Sequence, residues 1–422
     1  MKVLVIGSGG REHAICKKLA TSPKVSTVYC AKGNEGMQQD GIQLVDIEEN
    51  NHAALIEFAK KERINWTFVG PEAPLMNGIV DDFLAAGLKI FGPTKKAALI
   101  EGSKDFAKQL MTTYQIPTAA YQTFTDYEQA LCYVEEKGTP IVIKADGLAA
   151  GKGVVVAEDM NVATLALKDM LLDGKFSGAE KRVVIEEFLS GEEFSLLAFV
   201  SNNKIYPMPI AQDHKRAYEG DKGPNTGGMG AYSPVPQIPE SMIEEAVEKV
   251  LKPAVQGMRS EEREFTGILY AGLIASEKGV KVIEFNARFG DPETQVVLNR
   301  LTSDFAQLID DLLNNQVPVV EWQKKGYDIG IVIASDGYPD AYQKEIILPD
   351  LTKLEEVQVY YAGVKKNKTG NLVSNGGRIY LIEAQGDTLK EAADKAYQQL
   401  KAVDTEGTFY RMDIGKKVMK QN

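Results

Sequence analysis

Cysteine and histidine are scarce in this chain of 422 residues, which has three of each. The cysteines are odd in number and lack metal-ligand spacing, so they argue against a disulfide framework and are typical of reduced thiols. Three histidines are too few for a histidine-rich metal site. We assign no chemistry to His214, which stands alone among charged residues.

Long apolar stretches are also absent. The run Val3–Ile6 is too short for the core of a signal peptide, and no stretch approaches the ~20 apolar residues of a membrane-spanning helix. Basic residues are outnumbered, with 48 Lys and Arg against 59 Asp and Glu and a net charge of -11, which disfavours a protein that coats nucleic acid. We therefore expect a cytoplasmic protein that binds neither membranes nor nucleic acid.

Glycine is the residue in excess, with 38 in the chain, and it falls in clusters. The remaining composition is that of a globular protein, 44% apolar and 25% charged, and the length corresponds to about two to four domains. A glycine cluster next to a strand leaves backbone N–H groups accessible to anions. We expect the clusters to bind phosphate groups rather than to provide flexibility.

Short apolar runs alternate with helical patterns over the first hundred residues. This alternation predicts a mostly parallel sheet that binds ligands at the carboxyl ends of its strands. The predicted strands are Val3–Ile6, Val25–Cys30, Thr67–Val69 and Lys89–Phe91. The predicted helices are Ala14–Ala20, Ala53–Lys61 and Met76–Ala86.

The pattern changes from about residue 121. A glycine-rich turn between the strands Ile141–Lys144 and Val154–Ala157, flanked by helices, predicts a small α+β lobe. The stretch Ala211–Tyr232 has glycines and charges without periodicity, and a loop of that length in a compact domain is usually functional or disordered. A second α+β segment follows it, and a small α/β region begins near Asp328.

The segment Gly7–His13 follows a strand and opens a helix, the position at which backbone N–H groups bind an anion. Glu12 stands where a dinucleotide fingerprint requires its last glycine, and no acid follows the second strand, so an NAD-dependent dehydrogenase is disfavoured. A phosphate of another kind fits better, with Arg11 adding a charge-assisted contact. A tight turn without a ligand is the alternative.

The segment Lys144–Gly153 places lysines within a glycine-rich turn between two strands. Only three residues separate Gly147 from Gly151, and no Ser or Thr follows Lys152, so this is not a P-loop. Such a hairpin could fold over a triphosphate as a lid. The alternative is a flexible surface hairpin with solvated lysines.

Two later strands end in polar residues. Val183–Glu193 runs into acids, an aromatic residue and a glycine turn, which could hold an adenine and a ribose, although acids at strand ends are often only solvated. In Val282–Glu293, alternation puts Glu284, Asn286 and Arg288 on one strand face. Carboxylate and amide oxygens suit Mg²⁺, and burial of such groups without partners is costly. We therefore interpret this face as functional, with Arg288 directed towards a phosphoryl group.

The ordered set of these motifs resembles the ATP-grasp ligases, and in particular the glycinamide ribonucleotide synthetase (phosphoribosylamine–glycine ligase) family. The resemblance runs from Met1 to about Ile414. At one turn the chain departs from the family, because it has Lys32-Gly33-Asn34 where the family usually has Pro-Gly-Asn. The segments that carry the resemblance are Gly7–His13, Gly70–Glu72, Lys144–Gly153, Asp213–Lys215, Gly227–Gly230, Glu284–Glu293 and the turn Asn375–Arg378.

The resemblance implies the ATP-dependent ligation of glycine to 5-phosphoribosylamine in de novo purine synthesis, giving glycinamide ribonucleotide, ADP and phosphate. It implies an α/β and α+β multidomain fold. The implied parts are a Rossmann-like domain over 1–103, a two-lobed ATP-grasp core over 104–326 with a lid lobe at about 121–190, and a small α/β cap over 327–422. It also implies Mg²⁺ or Mn²⁺ and a monomer. The alternatives are another ATP-grasp ligase or carboxylase, and a non-catalytic nucleotide-binding regulator.

The resemblance further implies roles for particular residues. Those implied for ATP are Lys104, Lys144, Gly151, Lys152 and Gly153 at the phosphates, Glu186, Glu187, Phe188 and Leu189 at the adenine, and Glu193 at the ribose. Those implied for the metal ion are Glu284 and Asn286. Those implied for the phosphoribosyl substrate and its pocket are Gly9, Gly10, Arg11, Asn34, Glu72, Asp213, Lys215 and Gly228. Those implied for catalysis are Lys144, Asp213, Arg288 and Asp291, with the last two near glycine and the acyl phosphate.

Overall fold

A parallel sheet of five strands forms the N-terminal part of the chain, whose structure, a computed structural model, describes residues 1–147, 153–173, 181–403 and 405–419. Its strands are β1 (Lys2–Gly7), β2 (Thr27–Lys32), β3 (Gln43–Val45), β4 (Trp66–Val69) and β5 (Ile90–Phe91). Its helices are α1 (Gly10–Ala20), α2 (His52–Glu62), α3 (Glu72–Asn77), α4 (Ile79–Ala85) and α5 (Lys95–Gly102). The order β3–β2–β1–β4–β5 confirms the predicted Rossmann-like arrangement.

Alternation along β1 explains why this sheet is covered on both faces. Val3 and Val5 belong to one apolar cluster and Leu4 and Ile6 to another, and all four side chains are fully buried. The predicted helix Met76–Ala86 is wrong in one respect, because Gly78 at φ +89° ends α3 and a second helix begins after it.

The next four strands form an antiparallel sheet in the order β6–β9–β7–β8. They are β6 (Tyr121–Phe124), β7 (Ile141–Ala145), β8 (Val154–Ala157) and β9 (Val183–Glu187). The helices of this region are α6 (Lys104–Thr113), α7 (Tyr127–Lys137) and α8 (Met160–Leu167). In the register of β7 and β9, Lys144 is opposite Val184 and Glu186 is opposite Val142, so Lys144 and Glu186 are diagonal neighbours on one face.

A longer antiparallel sheet follows, in the order β11–β10–β16–β17. The strands from here to residue 286 are β10 (Glu192–Ser201), β11 (Lys204–Pro207), β12 (Gln212–Asp213), β13 (Arg216–Tyr218), β14 (Lys222–Asn225), β15 (Gly230–Ser233), β16 (Gly267–Ser276) and β17 (Gly279–Asn286). The helices are α9 (Glu240–Ala246), α10 (Lys252–Ser260), α11 (Glu293–Val297) and α12 (Phe305–Leu313). The stretch Ala211–Tyr232 therefore contains short strands that its sequence did not predict.

A mixed layer of strands and helices completes the chain. Its elements are β18 (Tyr327–Ser335), β19 (Val357–Tyr361), β20 (Val364–Lys366), β21 (Leu372–Ser374), β22 (Arg378–Gly386), α13 (Leu389–Ala402), β23 (Thr408–Phe409) and α14 (Lys416–Met419). The main sheet has the order β12–β15–β18–β22–β19. Because β12 and β15 come from the glycine-rich stretch, one sheet joins that stretch to the C-terminal region. Of the helices in the described part of the chain, none is long and apolar enough to cross a membrane.

A buried ion pair fastens the start of this C-terminal sheet. Arg300 Nη1 lies 2.6 Å from Asp328 Oδ2, and the two side chains are 2% and 1% exposed. The guanidinium also donates to backbone carbonyls of Ser233, Gly326, Gln323 and Lys325. The planar fork of an arginine can satisfy acceptors in several directions, which a lysine cannot.

Replacing Arg300 by Met should therefore destabilise the chain. We expect a loss of about 3–5 kcal/mol in unfolding free energy, because the Asp328 carboxylate would be left buried without its cation. Burial already raises the pKa of Asp328 despite Arg300. The loss should therefore be smaller at pH 6 than at pH 8, where a proton less readily neutralises the carboxylate. Urea unfolding at both pH values tests this, and a loss below about 1 kcal/mol would contradict it.

Candidate active site

Arg288 lies at the centre of a cluster of charges where the carboxyl ends of β4 and β17 meet. Its Nη2 is 2.9 Å from Glu101 Oε1 and its Nε is 3.4 Å from Glu72 Oε2. It also donates to Asn286 Oδ1 at 3.3 Å. Burial favours the neutral form of Arg288, but Glu101 and Glu72 outweigh it and raise the pKa of the guanidinium. Arg288 is therefore a permanent cation in a fixed position.

The glycine turn after β1 is organised by Glu12, which is 2% exposed. Its carboxylate accepts hydrogen bonds from the backbone N–H of Gly9 (2.7 Å) and from Arg11 Nε (2.5 Å). A Cβ at Gly7 or Gly70 would lie 2.3 Å or 2.1 Å from atoms of Glu12. These two glycines make room for a buried carboxylate, a reason for glycine that the sequence did not indicate.

The phosphate contacts implied for this turn have competitors within the protein. Arg11 is 8% exposed, and its Nη1 donates to the carbonyl of Phe289 at 3.1 Å. A Cβ at Gly9 or Gly10 would lie 3.6 Å or 3.9 Å from the carboxylate oxygens of Asp291. The turn thus faces a carboxylate as well as a cation, and its binding of phosphate stays a prediction.

The turn Lys32–Asn34, which departs from the family pattern, is held by hydrogen bonds. The backbone N–H of Gly33 donates to the carbonyl of Gly7 at 2.9 Å. Asn34 Nδ2 donates to the carbonyls of Ser8 (2.8 Å) and Tyr361 (3.0 Å). Asn34, which was implied for the substrate pocket, therefore ties the glycine turn to β19.

Lys144 lies in β7 and contacts the strand β17 that precedes Arg288. Its Nζ donates to the carbonyl of Ile283 (3.0 Å) and lies 2.9 Å from Glu186 Oε1. Ile283 is available because the β16–β17 register shifts at a bulge that leaves it without a Cα partner. The other carboxylate oxygen of Glu186 lies 2.9 Å from Lys108 Nζ, and Lys108 in turn donates to Thr118 Oγ1 at 2.8 Å.

Lys108 was not predicted as a site residue. It is 2% exposed, and burial, with Glu186 opposing, lowers the pKa of its ammonium to about 8. Its position four residues after Lys104 in an amphipathic helix gives no sign of function in the sequence. Its contact with Glu186 joins α6 to β9, two elements that are far apart in the sequence.

The predicted lid turn is only partly described. Lys104 Nζ donates to the carbonyl of Gly147 at 2.8 Å. Gly151 and Lys152 lie outside the described residues. The carbonyl of Gly153 accepts a hydrogen bond of 2.8 Å from the end of β7, so the two strands of the hairpin meet there.

The segment implied for adenine follows β9. Phe188 is 41% exposed, and Leu189 beside it is half-buried. Glu187 points away from Glu186, towards Lys281 at 3.5 Å. These positions leave an aromatic side chain and a stretch of backbone at the mouth of the Lys144 site.

Glu284 and Asn286 lie two residues apart near the end of β17. Burial raises the pKa of Glu284, but four surrounding cations outweigh it and lower the pKa, which keeps the carboxylate ionised. These cations are Lys215, Lys144, Lys104 and Arg288. Within the described ranges no group of three or more His, Cys, Asp or Glu side chains could hold a metal ion. Two oxygen donors fit a Mg²⁺-type ion that takes its other ligands from phosphate and water.

Asp213, at the end of β12, faces Lys215 and Glu193. Lys215 Nζ lies 3.4 Å from Glu193 Oε2. Burial, reinforced by Glu293 and Glu193 and opposed by Lys215, raises the pKa of Asp213 to about 7. A carboxyl group that titrates near neutrality can exchange protons with a substrate.

A buried hydrogen-bond network lies behind Asp213 and was also not predicted. Tyr270 Oη donates to Glu293 Oε1 at 2.5 Å, and Ser195 Oγ lies 2.8 Å from Tyr270 Oη. A Cβ at Gly290 would lie 2.5 Å from Glu293 Oε2, so this glycine too makes room for a carboxylate. Gly228, implied for the substrate pocket, is buried at φ +116° against Pro292.

Comparison with protein families accounts for most of the chain. Residues 1–101, 102–294 and 328–417 match the N domain, the ATP-grasp (A) domain and the C domain of phosphoribosylglycinamide synthetase. The chain belongs to the phosphoribosylglycinamide synthetase family. It is 60% identical to the phosphoribosylamine–glycine ligase of Listeria innocua over 99% of this chain and 100% of the relative. It is 56% identical to that of Streptococcus pyogenes over the full length of both.

Solved structures agree with this membership. The crystal structure of phosphoribosylamine–glycine ligase from Thermotoga maritima is 34% identical, with a TM-score of 0.85 over 98% of this chain and 100% of the other. The biotin carboxylase domain of the 2-oxoglutarate carboxylase of Hydrogenobacter thermophilus has a TM-score of 0.74 at 15% identity and covers 97% of this chain and 91% of that domain. At that identity it shows the fold alone, which confirms the predicted ATP-grasp core of this synthetase family member.

Replacing Lys108 by Met should weaken nucleotide binding in this phosphoribosylglycinamide synthetase. Without Lys108, the Glu186 carboxylate would interact more strongly with Lys144 and neutralise it. We expect the KM for ATP to rise about tenfold, equivalent to about 1.4 kcal/mol, with the KM for glycine changed less than about twofold.

Lys281→Met is the matched control, because Lys281 pairs with Glu187 on the outer side of the same segment. It should leave both KM values near those of the unmodified chain. Equal changes in the two KM values of Lys108→Met, or the same effect from Lys281→Met, would contradict a role in placing Lys144.

Proposed function

We propose that this chain ligates glycine to 5-phosphoribosylamine at the expense of ATP, forming glycinamide ribonucleotide through a glycyl phosphate intermediate. The observation that carries the proposal is the convergence of four cations on the ionised Glu284 in a member of this family. Such a site neutralises polyanions and contains no side chain placed as a nucleophile among the residues described above. This is the composition that phosphoryl transfer requires.

On the nucleotide side, we assign Lys104 and Lys144 to the ATP phosphates. The backbone of residues 186–189 binds the adenine, and Glu193 binds the ribose. We also assign Gly151, Lys152 and Gly153 to the phosphates, on the family resemblance. Support comes from Lys144, which its contacts with Glu186 and the β17 bulge hold next to the Glu284 cluster.

Glu284 and Asn286 would hold Mg²⁺ or Mn²⁺. When bound, the ion would neutralise charge on the transferred phosphate. Arg288, held by Glu72 and Glu101, would contact the γ-phosphoryl group as glycine's carboxylate oxygen attacks it. The P–O bond to ADP breaks as the acyl phosphate forms.

On the acceptor side, Gly9, Gly10 and Arg11 would contact the phosphate of phosphoribosylamine. The same pocket would include Asn34, Glu72, Asp213, Lys215 and Gly228. The amine attacks the acyl carbon, the C–O bond to phosphate breaks, and Asp213 accepts the proton that the nitrogen loses. Asp291 lies near the reacting groups. The acyl phosphate hydrolyses readily, which explains the need for a lid.

We further propose the domain boundaries 1–103, 104–326 and 327–422, with a lid lobe at about 121–190, and a monomeric cytoplasmic enzyme. Family resemblance supports each of these. The sheet that joins β12 and β15 to β18 crosses the second boundary, because β12 and β15 lie before residue 326 and β18 lies after it.

Transfer of labelled oxygen tests the reaction. Glycine carrying ¹⁸O in its carboxylate should pass one label to inorganic phosphate, because the attacking oxygen leaves with the phosphoryl group. The assay is run with ATP and phosphoribosylamine generated in situ, and ADP release is measured with each substrate omitted in turn. Unlabelled phosphate would exclude the acyl phosphate, and ADP release that depends on bicarbonate rather than glycine would favour a carboxylase.

The pH dependence of ligation should report Asp213. Its pKa is raised to about 7, so the carboxylate form that accepts a proton is lost as the pH falls through 7. We expect kcat to fall about tenfold per pH unit below that point and Asp213→Asn to lose this limb together with most of the activity. Glu293→Gln removes a charge that raises the pKa and should move the limb to lower pH. A limb unchanged in Glu293→Gln would contradict the assignment.

A further inference from the structure

Arg378, the first residue of β22, contacts two segments of the site that are far apart in sequence. Arg378 Nη1 donates to the carbonyls of Gly227 (3.0 Å), Gly228 (3.3 Å) and Asp291 (2.8 Å). Its Nη2 lies 3.1 Å from Asp291 Oδ2. One side chain from the C-terminal region thus holds both the glycine-rich loop and the turn after Arg288.

Two glycines leave room for these contacts. A Cβ at Gly227 would lie 3.1 Å from Arg378 Cζ, and a Cβ at Gly228 would lie 2.4 Å from Pro292 Cδ. The guanidinium therefore lies flat against backbone, where a larger residue at position 227 would displace it. A lysine has one nitrogen, so it could not contact the carbonyl oxygens and Asp291 Oδ2 from two separate atoms as Nη1 and Nη2 do.

Asp291 is held from three directions, because the backbone N–H of Arg11 also donates a hydrogen bond to its carboxylate. Its Oδ1 accepts a hydrogen bond from Gln295 Nε2 at 2.8 Å, while Arg378 binds Oδ2. Burial raises the pKa of Asp291, but Arg378 and Arg11 outweigh it and lower the pKa, so the group remains a carboxylate. Its side chain is 16% exposed and lies beside Gly9 and Gly10.

An ionised carboxylate accepts hydrogen bonds from N–H donors. Both proposed co-substrates carry an amino group, which is such a donor. We infer that Arg378 is a positioning residue, which fixes Asp291 beside the Ser8–Gly10 turn so that its carboxylate binds the amino group of a substrate. This inference rests on the proposed function.

The test compares Arg378→Gln, Arg378→Lys, Asp291→Asn and the double variant Arg378→Gln/Asp291→Asn in the full-length chain. The unmodified chain must first form glycinamide ribonucleotide, since failure there would overturn the proposed function and not this inference. We expect Arg378→Gln to raise the KM of one amine substrate at least tenfold, with the KM for ATP changed less than twofold. Arg378→Lys should be intermediate, and the double variant should resemble the single ones.

The two amine substrates are distinguished by the measurements. If the bound amino group is that of phosphoribosylamine, its KM rises and glycine-dependent positional isotope exchange in [β,γ-¹⁸O]ATP stays within twofold. If it is that of glycine, the KM for glycine rises and the exchange falls. Either result supports the role of Arg378. The KM that rises identifies the substrate whose amino group Asp291 binds.

Arg300→Lys is the control for a merely structural arginine, because Arg300 also binds one aspartate and several carbonyls but lies outside the site. It should lower the melting temperature without changing any KM. Equal shifts of all three KM values in Arg378→Gln, or effects of Arg378→Gln and Asp291→Asn that multiply in the double variant, would overturn the inference. Should Arg378→Gln fail to fold, the KM values of Arg378→Lys and Asp291→Asn are compared in its place to test the inference.

Discussion

The mutual support of buried charges around Glu284 and Arg288 is the constraint on which the rest of the site depends. Four cations surround one carboxylate, and two further carboxylates hold one of those cations. No member could be buried alone, because an unpaired ion loses its hydration without compensation. The charges come from α3, α5, α6, β7, β17 with the turn after it, and the loop after β12, so the site can form only when these elements are packed together.

The same reasoning explains how an acidic chain can bind polyanions. The net charge of -11 is a property of the whole surface, whereas substrates meet the local field of a cleft. Lys104, Lys144 and Lys215 are kept near the cleft by carbonyl and carboxylate partners that do not cancel their charge completely. Lys144, for example, is shared between the carboxylate of Glu186 and the carbonyl of Ile283.

Much of this arrangement was predictable from local patterns. The parallel sheet, the strand positions of Lys144 and Glu284 and the pairing of β7 with β8 each follow from runs of a few residues that carry their own signal. The strands between Ala211 and Tyr232 were missed because two to four residues are too few to show a period. Lys108 and Arg378 were missed as site residues because their roles depend on partners 78 and 87 or more positions away, at Glu186 and Asp291.

Glycine illustrates the limit of sequence reasoning most clearly. A glycine beside a strand end was taken to expose backbone to phosphate, yet Gly7 and Gly70 accommodate Glu12, Gly290 accommodates Glu293, and Gly227 accommodates Arg378. Each of these contacts is long-range or depends on a side chain whose direction the sequence does not specify. The space that a Cβ would fill is occupied by a charged side chain of the protein itself. At these four positions only the folded structure shows which side chain that is.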